Sequence, residues 1–401
     1  MAEVEAEITR WLVRVGLEAA DEAAVLEGLC GRLVAAGVPL WRAATGAELL
    51  HPLLDARGCR WVRGQGIVTE DYSRDGSDFR DDEEWLRSPF YVLANTPGDG
   101  ELRRRLDGSY RRGEFPLLDR FQDDGSTDYL AFAVSYSGRL QFGELQGLLC
   151  SFQTDRQGGF DDAEIELLRR LATVLALTFK SIIAVETAGT LMATYLGEDA
   201  GRRVMAGAIN RGVAETVGAV LWYSDLEGFT RIADHAPAPE LIGLLNDYAE
   251  VVVASIHAHG GQVLKFIGDG ILGMFPQTDR TMPCSRALDS AVAVLAACEK
   301  LRAERLAAAR PATGIYVALH VGDVLYGNIG SRDRLDFTVV GPAVNEVARI
   351  EALCRQLEQR VIVSSAFAQA SGRARGRLVS LGRYALKGVR RPEELFTLDP
   401  G

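Results

Sequence analysis

The sequence predicts a chain of mixed α and β structure in two parts. The first half reads as an α+β unit, and the second as an α/β (α+β sandwich) domain. Three observations carry this reading. The 401 residues suffice for two or three domains at roughly 100–200 residues each. From Val213 onward apolar strand runs alternate with helical stripes, the pattern of helices packed on a sheet. Between the halves, Thr187 to Gly212 carries Gly189, Gly197, Gly201, Gly207 and Gly212 and reads as a linker with helical pieces. The expected boundaries are therefore 1–186, 187–212 and 213–401.

Composition excludes several classes. Apolar residues make up 47% and charged residues 25%, which rules out a wholly disordered or collagen-like chain. The net charge of -11 gives no general attraction to nucleic acid or anionic membrane, so no nucleic-acid partner is expected. Cys30, Cys59, Cys150, Cys284, Cys298 and Cys354 form no CxxC pair and read as core thiols of a reducing compartment. No basic stretch followed by an apolar run opens the chain. The apolar stretch Leu171 to Val185 contains Lys180 and reads as too short to span a bilayer. The expectation is a cytoplasmic protein without a membrane span.

In the front half, Ile8, Trp11, Leu12 and Val15 form a helical stripe over residues 3–16. Leu26, Leu29, Cys30 and Leu33 form a second from Asp21 to Ala36, stopped by Gly37. Residues 59–72 read as strand. Residues 74–128, rich in Asp, Gly, Arg and Pro, read as loops with short helical pieces such as Gly100–Leu106. Strand signals return at Tyr129–Ser135 and Leu145–Gln153. Asp161 and Glu164 make a capping box for a helix whose apolar positions run from Ile165 to Ile182 and which reaches about Glu186. Trp11, Trp41, Trp61 and Trp85 are candidates for core packing or for lining a pocket.

In the second half, Val217–Ser224 is an apolar strand ending at Asp225. A helix over Pro239–Ala258 follows, then strands at Gln262–Ile267 and Ile271–Phe275 around a Gly268-Asp269-Gly270 turn. Ser285–Glu304 reads as a helix, Gly314–Val321 and Phe337–Val340 as strands, Asn345–Leu357 as a helix, and Arg377–Leu398 as a strand–turn–strand.

Four segments carry chemistry. "YSDLEGFT" (Tyr223 to Thr230) places Asp225 at a strand end before a turn whose amides suit phosphate. "LKFIGDGILGMF" (Leu264 to Phe275) holds Asp269 in a tight turn 44 positions later, so the two carboxylates could share one cation site. In "DFTVVGPAVNEVARIEAL" (Asp336 to Leu353), Asn345 and Arg349 stand i, i+4 on one helix face, where Arg offers a fork to phosphate oxygens. In "LGRYALKGVRRPEELFTL" (Leu381 to Leu398), Lys387 sits in a turn. Each alone is also an ordinary turn, solvated helix face or exposed lysine.

In this order and spacing the four resemble the class III nucleotidyl cyclase catalytic domain, a ferredoxin-like fold, over Val217 to Leu398. The resemblance implies two ions per active site, Mg²⁺ or Mn²⁺, held by Asp225, Asp269 and the Leu226 carbonyl. It implies phosphate contacts from amides of the Glu227–Thr230 turn, including Gly228, Phe229 and Thr230. It makes Asn345 and Arg349 the transition-state pair, Lys387 a phosphate contact, and Lys265 and Thr338 the purine readers. An ammonium at 265 donates to adenine N1, an acceptor, where guanine presents a donor, so ATP is the expected substrate. Thr338 stands where membrane enzymes of mammals carry Asp, which softens the discrimination. Pro342-Ala343 departs from the family's usual acidic and hydroxyl residues without displacing Asn345.

The family further implies a head-to-tail homodimer with shared sites. The alternatives are a guanylate cyclase of the same fold and a non-catalytic nucleotide-binding signalling module. The front half, most of all "GGFDDAEIELLRRLATVLALTF", resembles a GAF-type sensory domain, which implies regulation by an unidentified small-molecule or protein signal.

Overall fold

The computed structural model describes residues 1–74, 79–136, 147–277, 282–387 and 392–399. The chain divides into two compact units, Met1–Leu191 and Met192–Gly401.

The first unit opens with helices α1 (Ala2–Leu17) and α2 (Glu22–Ala35). Asp21 caps α2 through the Ala23 amide, and Gly37 leaves it at positive φ. A six-stranded antiparallel sheet follows in the order β3-β2-β1-β6-β5-β4. Its strands are β1 (Arg42–Glu48), β2 (Leu54–Val62), β3 (Gly66–Ser73), β4 (Gly100–Arg105), β5 (Asp128–Ser135) and β6 (Gly147–Thr154). Short helices α3 (Glu83–Leu86), α4 (Pro89–Ala94) and α5 (Pro116–Asp123) interrupt it. The long helix α6 runs Asp162–Leu196. One face of the sheet packs on α1, α2 and α6 through residues such as Leu12, Leu29, Phe152 and Leu171, and the other on α4 and α5 through Leu93 and Leu118.

Several expectations need correction. Gly100–Leu106 is not helical: Gly100–Arg105 pairs with β5 as an edge strand. Residues 59–72 are two strands of a hairpin, and β1 carried no strand signal because its sequence RAATGAE lacks β-branched bulk apart from Thr45. Leu145 lies outside the described residues.

The capping box forms reciprocally. The Glu164 amide donates to Asp161 Oδ1 at 2.8 Å, and the Asp161 amide to Glu164 Oε2 at 2.8 Å. From there α6 continues ten residues past Glu186. Helix α6, and α9 described below, are long and apolar enough by length and composition to cross a membrane, contrary to the expected shortness of Leu171–Val185. Half of the apolar stretch of α6 is buried within the structure.

The second unit begins inside the stretch expected as a linker. Helix α7 (Glu198–Met205) buries Ala200 against the second sheet. That sheet contains β7 (Ala214–Leu226), β8 (Gln262–Ile267), β9 (Gly270–Pro276), β10 (Ile315–Gly330), β11 (Leu335–Val340), β12 (Val361–Ser364), β13 (Leu378–Tyr384) and β14 (Glu393–Leu398). Its order is β13-β14-β12-β10-β7-β9-β8, with β11 paired to β10, and among the described residues only the β10–β12 ladder is parallel. Its helices are α8 (Phe229–Ala233), α9 (Ala238–Ala258), α10 (Cys284–Ala307), α11 (Pro342–Glu351) and α12 (Ser365–Ala370). Alternate residues of β7 separate the two cores. Val220 and Trp222 meet α9 and α10, while Ala219 and Leu221 meet α11. The expected helix over Asn345–Leu357 ends at Glu351, and β10 runs nine residues beyond the expected Val321.

Candidate active site

All the predicted site residues lie in the second unit. Asp225 is near the end of β7, and Asp269 sits in the turn between β8 and β9. The β7–β9 ladder, with Ser224 opposite Ile271, brings the two ends side by side. Asp269 Oδ2 accepts the Leu226 amide at 3.3 Å. Burial first, then the neighbouring Asp269 and Glu351, pushes the Asp225 carboxyl up to about 7. Glu351, at the end of α11, is also pushed up to about 7, again by burial first, with Asp269 adding and Arg355 opposing. Oxygen ligands converging with surplus negative charge fit a divalent cation such as Mg²⁺. Among the described residues no group of three or more His, Cys, Asp or Glu could hold a metal ion, so an ion at the Asp pair would draw its other ligands from carbonyls, water or substrate.

The turn after β7 is more committed than its sequence implied. The Glu227 amide donates to the Gly314 carbonyl at 2.9 Å, and the Thr313 hydroxyl donates to the Glu227 carbonyl. Glu227 therefore drops out of the expected phosphate-facing set. Gly228 adopts a left-handed φ of 66°, and with Phe229 and Thr230 it opens the short α8. Leu226 is buried.

Lys265 on β8 and Thr338 on β11 come to the same region. The Lys265 ammonium donates to Asp336 Oδ2 at 2.9 Å, and Asp336 lies two residues before Thr338 on the same strand face. The Thr338 Oγ1 is buried without a hydrogen-bond partner among the described residues. A buried hydroxyl normally finds a hydrogen-bond partner.

Helix α11 lies on the sheet face beside β7 and β10, anchored by Val347 and Ile350. Asn345 is exposed and Arg349 half-buried on it. Neither has a hydrogen-bond or ion-pair partner among the described residues. Close by, His320 Nε2 lies 3.2 Å from Glu346 Oε2. Burial pushes this imidazole down to about 4, so the ring beside the Glu346 carboxylate is neutral around pH 7. Lys387 is exposed in the turn after β13.

Sequence reasoning missed three groups: Asp336, Glu351 and the His320–Glu346 pair. Only Asp336 left a signal, its two-residue spacing from Thr338. The others depend on how α11 lies on the sheet.

Comparison with known proteins bears on the second unit as a whole. Residues 213–400 match the family of the Adenylate and Guanylate cyclase catalytic domain. The uncharacterized protein MT1361 of Mycobacterium tuberculosis (strain CDC 1551 / Oshkosh) is 32% identical over 178 residues, which are 44% of this chain and 31% of that one. The chain thus spans about a third of the length of this relative. Among solved structures, a bacterial light-regulated adenylyl cyclase is similar at 26% identity with a TM-score of 0.41, over 46% of this chain and 91% of that one. The guanylyl cyclase Cya2 is similar at 27% identity with a TM-score of 0.41, over 46% and 93%. Residues 213–400 thus match the Adenylate and Guanylate cyclase catalytic domain, the family that the order of the four segments resembles.

Proposed function

We propose that the chain is an adenylate cyclase, converting ATP to 3′,5′-cyclic AMP and pyrophosphate under control of its first unit. The observation that supports ATP over GTP is the Lys265–Asp336 pair beside the buried Thr338 hydroxyl. Adenine offers an acceptor at N1 and a donor at its 6-amino group. In our reading Lys265 donates to N1, and Asp336 accepts from the amino group. Guanine reverses both edges and would leave the carboxylate facing an oxygen.

Asp225, Asp269 and the Leu226 carbonyl would hold two Mg²⁺ or Mn²⁺ ions, whose chemistry is activation of the ribose 3′-hydroxyl and charge neutralisation on the triphosphate. The chain's own groups do the rest. Asn345 orients the ribose, Arg349 donates to the oxygens of the α-phosphorus under attack, and Lys387 meets the outer phosphates. Amides of Gly228, Phe229 and Thr230 contact phosphate oxygens. The 3′-oxygen forms its bond to the α-phosphorus as the bond to pyrophosphate breaks.

A head-to-tail homodimer sharing these sites accords with two uncovered apolar residues beside Asp269: Phe266 and Ile267 are 59% and 45% exposed on edge strand β8. For residues 1–186 we retain the GAF-like regulatory role. A cytoplasmic setting suits six thiols that are all buried and unpaired.

The test is to incubate the chain with ATP or GTP and Mg²⁺ or Mn²⁺, and to quantify cyclic nucleotide by mass spectrometry against Asp269→Ala. Cyclic AMP in excess is expected. Cyclic GMP in excess would assign the guanylate reaction, and neither product would favour a binding module.

A further inference from the structure

The turn after β7 carries the Leu226 carbonyl and the amides of Gly228, Phe229 and Thr230. Gly228, at the N-cap of the five-residue α8, has no side chain with which to cap that helix. The grip on the turn comes instead from the loop at 308–314, which joins α10 to β10. The Thr313 hydroxyl donates to the Glu227 carbonyl, and the Glu227 amide donates to the Gly314 carbonyl at 2.9 Å. Both backbone groups of Glu227 are thereby taken, one residue from Leu226 and two from Asp225. Its side chain adds little, because the carboxylate is 44% exposed and stands 3.9 Å from Arg360.

The loop is held from behind by α9. The Tyr248 hydroxyl donates to the Thr313 carbonyl and accepts the Thr313 amide at 3.1 Å. Tyr248 is 2% exposed and Thr313 is 6% exposed, so water does not compete for these bonds. One residue earlier on α9, Asp247 pairs with the buried Arg305 of α10, whose Nε donates to the Pro311 carbonyl at 2.6 Å. The Tyr248 ring belongs to the core that includes Leu244 and Ile315. For that packing a Phe would serve. The hydroxyl is spent on the one loop residue whose own side chain holds the turn.

We infer that Tyr248 and Thr313 are positioning residues for the triphosphate and its metal ions. Helix α9 holds Thr313, and Thr313 holds Glu227, so that the Leu226 carbonyl and the amides of residues 228–230 stay in place. Both act through the Glu227 backbone rather than on substrate. The inference rests on the cyclase reading of this turn. Because the turn is assigned to phosphate and metal rather than to the base, loosening it weakens metal–triphosphate binding and leaves base choice alone.

The experiment assays the full chain with ATP, GTP and Mn²⁺, and follows binding of 3′-deoxy-ATP, which lacks the attacking hydroxyl, by calorimetry. In Thr313→Val the KM for ATP and the half-saturating Mn²⁺ concentration each rise at least about tenfold, while kcat falls less than about threefold. The analogue binds about tenfold more weakly, and the ATP/GTP ratio of kcat/KM stays within about twofold of the wild type. Thr313→Ser keeps the hydroxyl and returns every value to within about twofold. Tyr248→Phe keeps the ring and gives the same pattern at about threefold to fivefold, and it carries the test should Thr313→Val not fold. Ser255→Ala breaks a different link of α9 to α10, the bond from Ser255 Oγ to the Ser290 carbonyl at 3.2 Å. It lowers the thermal midpoint without moving KM or analogue binding. Unchanged KM, Mn²⁺ dependence and analogue binding in Thr313→Val and Tyr248→Phe overturn the inference. So does a shift that Ser255→Ala reproduces or that Thr313→Ser does not reverse. If the wild type binds the analogue without turnover, the binding arm decides alone. A wild type that neither binds it nor forms cyclic nucleotide overturns the cyclase reading, and this inference with it.

Discussion

Replacing Asp336 by Asn changes one charge and almost no volume, at a position two residues from the expected purine reader. In the wild type its carboxylate holds the Lys265 ammonium at 2.9 Å, with the side chains 35% and 58% exposed. A hydrogen bond between charged groups contributes about 1.5–3 kcal/mol when shielded. At this exposure solvent screening reduces it to about 1 kcal/mol. At about 1.4 kcal/mol per tenfold, kcat/KM for ATP should fall roughly fivefold. The Asn amide can turn its NH₂ toward the guanine 6-oxygen, so kcat/KM for GTP should rise by a similar factor. The ATP/GTP ratio should therefore drop about 25-fold, on the same tenfold scale. The assay is mass-spectrometric quantification of both cyclic nucleotides across a substrate series. An equal fall in both activities with the ratio unchanged would refute the role in base reading, leaving Asp336 a structural partner of Lys265. A wild type that forms neither product would instead refute the enzyme reading, so the two failures are distinct.

Three further outcomes follow from the same geometry. The Asp225 carboxyl is pushed up to about 7, so between about pH 4 and pH 7 the folded state binds more protons than the unfolded one, and without divalent cation stability falls as pH rises through that window. In EDTA at about pH 8, Asp225→Asn should be more stable than wild type by about 1–3 kcal/mol, a value discounted for screening, and denaturant unfolding at about pH 5 and pH 8 checks both the sign and the slope. Asp225→Ala mixed with Arg349→Ala under subunit exchange should regain up to one working site per heterodimer, and inactivity of the mixture would count against a shared site. In the first unit, Asp128 is fully buried, accepts from Arg103 Nη2 at 2.6 Å and takes the Phe160 amide at 3.0 Å. Asp128→Ala should cost about 3–5 kcal/mol by taking the counter-charge from the Arg103 guanidinium, which keeps only the Phe160 carbonyl, and by leaving the buried Phe160 amide without its acceptor, read as a lowered urea midpoint.

The sequence by itself determined the parts of this protein written in short-range rules. The capping box at Asp161 and Glu164, the stop at Gly37, the turn around Asp269 and the apolar periodicity of α9 and α10 follow from local backbone chemistry, and the structure carries each. The order of the four chemistry-bearing segments carried the resemblance of the second half to a known family for the same reason, since each is a strand end, a turn or one helix face. Elements whose stability comes from neighbours were not legible. The strand β1, RAATGAE, and the edge strand β4 are strands because their partners pair with them, not because their residues prefer it. The site was legible as positions and not as interactions. Nothing in the spacing of Glu351 places it near Asp269, or His320 against Glu346, because both contacts require α11 to lie across the sheet. The grip of Tyr248 on Thr313 is likewise invisible in one dimension. The two stand 65 positions apart, and only the packing of α9 beside the loop before β10 decides that the phenol meets that backbone.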